Sequence, residues 1–194
     1  MQTDAGIAPV SDSYAYRSSL IGAAHQFELT GDGLSWRTGR KAGLWRYADI
    51  ASVRLSYRPM GMQARRFRAD IANKDGARLA IMSTSKQTLA LMEPQPGYRG
   101  FILRLHAHLA GAGGAANLSG GLRAAIYNVL LALTALVGIA MAALLVRALY
   151  TSEIGGVIFI VGFSALFGWQ IGGFLRRNRP RSYTFDAVPE ELLQ

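Results

Sequence analysis

From Ala124 to Val146 the chain has 23 residues without a charged side chain, and from Ile154 to Leu175 it has 22. As helices rising roughly 1.5 Å per residue, each stretch is about 33 Å long, enough to cross the hydrocarbon core of a bilayer. A long helix in a soluble core normally keeps a polar stripe. Neither AAIYNVLLALTALVGIAMAALLV nor IGGVIFIVGFSALFGWQIGGFL has one. These stretches predict transmembrane helices at 124–146 and 154–175. Seven residues, Arg147 to Glu153, separate them. The pair must form a tight antiparallel hairpin.

Basic residues set the expected orientation. Arg123 abuts the first span, and Arg176, Arg177, Arg179 and Arg181 follow the second, whereas the connection holds one arginine. This bias predicts a multi-pass protein of the bacterial inner membrane with both ends in the cytoplasm. Met1 to Val10 has no basic region leading into an apolar run, so no cleaved signal peptide is expected. The formal net charge of +9 calls for an anionic neighbour. With no cysteine in the chain, thiol catalysis, zinc–thiolate sites, iron–sulfur clusters and disulfides are excluded.

The N-terminal part has a different texture. Residues 1–20 are small and polar and are expected to be disordered. HQFEL, the turn Thr30-Gly31-Asp32-Gly33 and LSWRT read as a hairpin. IASVRLSYR and RFRADIAN alternate, and Asn73-Lys74-Asp75-Gly76 is a second hairpin turn before ARLAIMS. After Pro96, the residues Tyr98, Phe101, Ile102, Leu105 and Leu109 recur at helical spacing. About six short strands closed by one amphipathic helix predict a small antiparallel β-sandwich or barrel over 21–110. A Gly-rich linker at 111–122 and a basic, then acidic, cytoplasmic tail at 176–194 complete the expected α+β organisation.

In this order, the strand–Asp-Gly–strand unit, the Trp-bearing strand, Tyr47-Ala48-Asp49-Ile50, the Asn-Lys-Asp-Gly hairpin and the terminal helix resemble bacterial pleckstrin-homology-like (PH-like) domains. Those are often fused to one or two membrane helices. The resemblance covers about Ile21 to Ala110. It implies a binding or assembly module rather than an enzyme, and no cofactor.

The candidate ligand surface is Arg58, Met60, Met62, Arg65, Arg66 and Arg68. Arginines can pair with lipid phosphates while methionines enter the membrane interface. The opposing reading is a solvated loop whose charges keep the domain soluble. Trp36, Trp45 and Tyr47 interleave with Arg37, Arg40, Lys41 and Arg46, as in single-strand nucleic-acid binders. Their period-two placement favours core packing, so no nucleic-acid partner is expected. His106 and His108 lie about 200° apart round a helix, too far apart to share a metal ion. Gly111 to Ala116 lacks the strand and helix that a dinucleotide fingerprint requires.

Within the spans, Ser164, Gly168 and Gly172 form a small-residue ridge, and Asn128, Leu131, Ala135, Gly138 and Ala142 share a sector of the first helix. A hairpin turning near Tyr150 sets Asn128 opposite Gln170 and Thr134 opposite Ser164. Gln170 points about 200° away from Gly168 and Gly172, so the ridge and Gln170 cannot both face the first span. Either choice leaves a face for self-association or a membrane protein partner. The leading functional expectation is a membrane-tethered module engaging anionic lipid or a protein. The alternative is an accessory subunit of a transporter or enzyme complex acting through the hairpin.

Overall fold

The computed structural model describes residues 12–19, 23–59, 66–86, 92–113 and 115–193. The fold is mixed α+β with antiparallel sheets, and the chain divides into two compact units. The first unit joins Met1–Gly120 to Ser182–Gln194, and the second is Gly121–Arg181.

In the first unit, β1 (Ser13–Tyr16), β2 (His25–Leu29), β3 (Gly33–Thr38) and β4 (Lys41–Arg46) form an antiparallel sheet in chain order. Alternation turns Tyr14, Tyr16, Phe27, Leu29, Leu34 and Trp45 into the core. The β2–β3 turn is tied by Thr30, whose hydroxyl donates to the Gly33 carbonyl (2.8 Å) and accepts from the Gly33 amide (3.2 Å). A second sheet has the order β11–β10–β5–β6–β7, from β5 (Ile50–Tyr57), β6 (Phe67–Asn73), β7 (Arg78–Met82), β10 (Asn117–Gly120) and β11 (Arg181–Ser182). Its Asn73–Ala77 turn is held by the Asn73 side chain, which accepts from the Ala77 amide at 2.7 Å, with Gly76 at φ +83. A short pair, β8 (Thr84–Lys86) and β9 (Met92–Pro94), leads into α1 (Tyr98–Gly111).

Two tyrosine hydroxyls close one edge between the sheets. Tyr14 donates to the Met82 carbonyl (2.5 Å) and Tyr16 to the Ala80 carbonyl (2.7 Å). Phe101, Ile102 and Leu105 of α1 are fully buried, with Val53, Leu55, Ile71 and Ile81 of the second sheet. So are Leu192 and Leu193, at 0% exposure.

Three expectations need correction. Ser13–Tyr16 is a strand within the segment expected to be disordered, because Tyr14 and Tyr16 gain both burial and hydroxyl partners. The linker at 111–122 contains β10, which pairs parallel to β5 with Leu118 opposite Val53. The tail is not a free appendage, because Ser182 onward belongs to the first unit and the Tyr183 amide donates to the Leu118 carbonyl (3.3 Å).

The second unit is a helical pair, α2 (Ala124–Tyr150) and α3 (Ile154–Arg177), with mean hydropathy 2.8 and 1.9. Both helices are long and apolar enough to cross a membrane. The first runs on past Val146 to Tyr150, so Thr151–Glu153 alone turns the chain, with Ser152 at φ 53. The Glu153 amide caps the Ala148 carbonyl at 3.0 Å. At the other end the Leu122 amide donates to the Asn178 carbonyl (3.0 Å). Gly121, at φ +82, lies so near the chain after α3 that a Cβ would sit 2.4 Å from the Arg179 carbonyl oxygen.

Candidate functional site

The described part of the arginine cluster is Arg58, Arg66 and Arg68. Met60, Met62 and Arg65 lie outside the described residues. The antiparallel pairing of β5 with β6 sets Tyr57 opposite Phe67, and the Arg58 amide donates to the Arg66 carbonyl at 2.8 Å. Arg58 and Arg66 therefore face each other at the mouth of one hairpin. Arg68 follows two residues along β6 and is held by Asp70, with Nε and Nη2 donating to one carboxylate oxygen at 2.8 and 2.5 Å.

Partial burial lowers the Arg66 guanidinium pKa from its ordinary value, and the like charges of Arg68 and then Arg58 act in the same direction. Three cations sit close enough to repel one another in a partly desolvated place. An anion would relieve that repulsion. Tyr16 lies within the same field, its phenol pushed up to about 12 by burial while Arg68 and Arg66 pull it down.

Sequence reasoning missed one neighbour, Ser56, and a pairing of two basic residues in and beyond the Tyr16 strand. Arg17 follows Tyr16, and its carbonyl accepts from the Lys86 amide (2.8 Å), which brings Arg17 and Lys86 to the side of Tyr16. Ser56 stands opposite Arg68 in the β5–β6 register; its hydroxyl is buried and has no partner among the described residues. Arg17 and Lys86 come from distant chain segments, and no local pattern marks them.

The aromatic and histidine candidates are engaged elsewhere. Trp45 and Tyr47 are buried, whereas Trp36 is half-buried. His106 and His108 diverge, as their spacing requires. His108 stacks on Tyr47 with centroids 5.0 Å apart, while His106 is buried between the Ile102 carbonyl (2.7 Å from Nδ1) and the Tyr183 hydroxyl (3.0 Å from Nε2). The Ile102 carbonyl can only accept, so Nδ1 carries the proton and Nε2 accepts from Tyr183. Among the described residues no group of three His, Cys, Asp or Glu side chains is placed to hold a metal ion.

Burial holds the His106 imidazole below its ordinary value of 6.5, against the raising effect of the Ile102 hydrogen bond. A lowered folded-state value means that the unfolded chain binds the proton first. The stability this group contributes is complete above about pH 6.5 and is lost as pH falls through the folded-state value. His25, also lowered by burial, works in the same direction. Denaturation midpoints of the intact chain between pH 7 and pH 5 should fall, and His106→Gln should flatten that slope. An unchanged slope in the variant would remove His106 from this account.

In the helical pair, Leu130, Thr134, Val137, Met141 and Leu145 of α2 and Val157, Ile160, Ser164, Phe167 and Ile171 of α3 are among the less exposed positions, which near the helix ends also include Tyr127, Ala148, Gly156 and Leu175. Alternating three- and four-residue steps of this kind give left-handed, near-antiparallel packing. Thr134 and Ser164 both lie on these faces, and the Thr134 hydroxyl is satisfied by the Leu130 carbonyl (2.8 Å).

Asn128, Gly138, Gly168, Gln170 and Gly172 are exposed. A Cβ at Gly138, Gly168 or Gly172 would meet nothing within 4 Å. The contact line thus takes Ser164 but neither the Asn128–Gln170 pair nor the two glycines of the ridge. Larger side chains such as Met141, Ile160 and Phe167 fill it and make more dispersion contacts than a bare ridge would.

No family model, curated protein or solved structure matches this chain.

Proposed function

We propose that the chain is a membrane-tethered, non-enzymatic binding module of the inner membrane. In this reading a PH-like cytoplasmic domain engages anionic lipid headgroups through Arg58, Arg66 and Arg68, with Arg65, Met60 and Met62 from the sequence between them. The carrying observation is the half-buried Arg66 flanked by two like charges, with Asp70 paired to Arg68. The PH-like assignment is supported by the antiparallel β1–β4 sheet and the antiparallel β5–β6–β7 run, followed by a helix that buries Phe101, Ile102 and Leu105. Orientation is supported by connectivity. Residues on both sides of the apolar pair belong to one compact unit, which supports having both ends of the pair on one side of the membrane. The arginines flanking that pair favour the cytoplasm.

The test uses the full chain in discs of neutral lipid and vesicles with and without anionic lipid. Capture of anionic vesicles should weaken with salt, because the screening length shrinks to about 3 Å at 1 M. Replacing Arg58, Arg66 and Arg68 with Gln should remove about 3 kcal/mol, at roughly 1 kcal/mol per basic residue near an anionic surface. Undiminished capture by the triple variant would reduce the cluster to a solubility feature.

A second reading, an accessory subunit or self-associating protein acting through the hairpin, is favoured by the exposed Asn128, Gly138, Gly168 and Gly172. Small residues let helices approach closely, and an amide contact between helices contributes about 0.6 kcal/mol on average. Cross-linking in native membranes should then give an adduct that Gly168→Leu weakens. Monomer alone for wild type and variant would exclude this reading.

A further inference from the structure

The first sheet ends at β4, and among the described residues no strand pairs with its outer side. Across the β3–β4 hairpin, Thr38 faces Lys41, Trp36 faces Gly43 and Leu34 faces Trp45. A two-residue turn closes on a hydrogen-bonded pair, and bonded and unbonded pairs then alternate. Thr38–Lys41 and Trp36–Gly43 are therefore the bonded pairs. Ala42 and Leu44 turn their amides and carbonyls outward, away from β3. Natural edges are commonly blunted by proline, a bulge or an inward charge. Lys41–Leu44 has none of these in its middle, is exposed throughout, and leaves Leu44 51% exposed.

A second observation concerns Trp36. Its indole lies across Gly43, where a Cβ would sit 3.0 Å from Cζ2 and 3.2 Å from Nε1. The Nε1 donor is buried and has no acceptor among the described residues. A buried donor without a partner is costly, and here it lies beside the open edge. The hairpin's own charges are all basic, Arg37, Arg40, Lys41 and Arg46, of which Arg46 is paired with Asp49 at 2.9 Å, and Glu28 of β2 lies on the outer face beyond β3. On the outer face a groove of about 500 Å³, floored by Ser13, Ala15, Ser35 and Ala42, reaches Leu44.

We propose that β4 is a docking edge for an acidic, extended segment of a partner protein, which adds to the sheet as a fifth strand. Its backbone pairs with Ala42 and Leu44. Its carboxylates meet Lys41 and the turn residue Arg40, a polar atom accepts from Trp36 Nε1 on that same face, and on the opposite face an apolar side chain lies beside Leu44. Strand addition of this kind draws affinity from main-chain bonds and selectivity from alternate side chains. A second copy of this edge is the poorer fit, because antiparallel pairing about Gly43 sets Lys41 of one copy near Arg46 of the other.

The probe is a synthetic peptide of alternating Glu and Val, added to the full chain in discs of neutral lipid. Binding is read by calorimetry and by tryptophan fluorescence, with Trp36→Phe identifying the responding ring. Saturable binding is expected, with affinity at least about tenfold weaker, or 1.4 kcal/mol, for a peptide N-methylated on alternate amides and for the Arg40→Glu/Lys41→Glu variant. Leu44→Pro removes an outward amide without touching the β3 ladder and should act likewise. The charge reversal lies in and beside an exposed turn, so it keeps the test decisive if the proline variant misfolds. Equal binding of the N-methylated peptide overturns the proposal, as does no binding of the acidic peptide up to about 1 mM. A dimer abolished by Leu44→Pro but indifferent to the peptide overturns it in favour of self-pairing.

Discussion

A chain cut after Arg181 is expected to lose the fold of its first unit, although every residue of its four-stranded sheet and of α1 remains. The missing segment carries Leu192 and Leu193, both at 0% exposure. Burying two leucines contributes about 3–6 kcal/mol, comparable with the roughly 5–15 kcal/mol that holds a whole domain together. The cut also takes Tyr183 from His106, leaving a buried imidazole nitrogen unpaired, and Glu190 from its ion pair with Arg99.

The complementary variant replaces 121–181 with a short turn. Because Gly120 and Ser182 belong to neighbouring strands of one sheet, this variant should fold, and without the apolar pair it should be soluble. Thermal melting and limited proteolysis separate the outcomes. A truncated chain melting within a few degrees of the intact one would mean that the tail adds nothing to the core.

Gly33→Ala is expected to destabilise the first unit by about 3 kcal/mol or more, in the range of severe overpacking. A Cβ at Gly33 would sit 2.2 Å from the carbonyl oxygen of Trp45 and 2.9 Å from the Cα of Arg46. Both are backbone atoms, so no side chain can swing aside. Relief requires β3 and β4 to part, which loosens the Leu34–Trp45 pair. Gly31→Ala is the internal control. A Cβ there meets nothing within 4 Å, and its effect should stay within about 0.5 kcal/mol. Denaturant unfolding followed by tryptophan fluorescence measures both; equal stability of the two variants would contradict this steric account.

The division between what sequence determines and what tertiary structure decides follows the range of the interactions involved. The apolar pair was legible because absence of charge over a membrane's thickness is a local property. The alternation of Phe67–Asn73 was legible because one buried face imposes a period of two, whereas a register shift between Ile50 and Ser52 brings Ile50 into the core out of phase with Val53 and Leu55. The Asn73–Gly76 turn was legible because its stabilising hydrogen bond is made by its own asparagine.

β10 was not legible. Asn117–Gly120 has small, flexible residues, and it is a strand because Val53, more than sixty residues earlier, offers it a partner. Nor was the packed face of the hairpin, because helices apolar on every side leave no periodicity to read, and the choice fell to side-chain size along the contact line. Arg58, Arg66 and Arg68 lie close enough in the chain to be read as one cluster. Arg17 and Lys86 meet each other through a single backbone hydrogen bond between remote segments. The sequence alone determined which segments could be strands and which helices could cross a membrane. Tertiary structure decided that the tail beyond those helices completes the domain before them, because Leu192 and Leu193 find burial there and nothing in the local sequence specifies where.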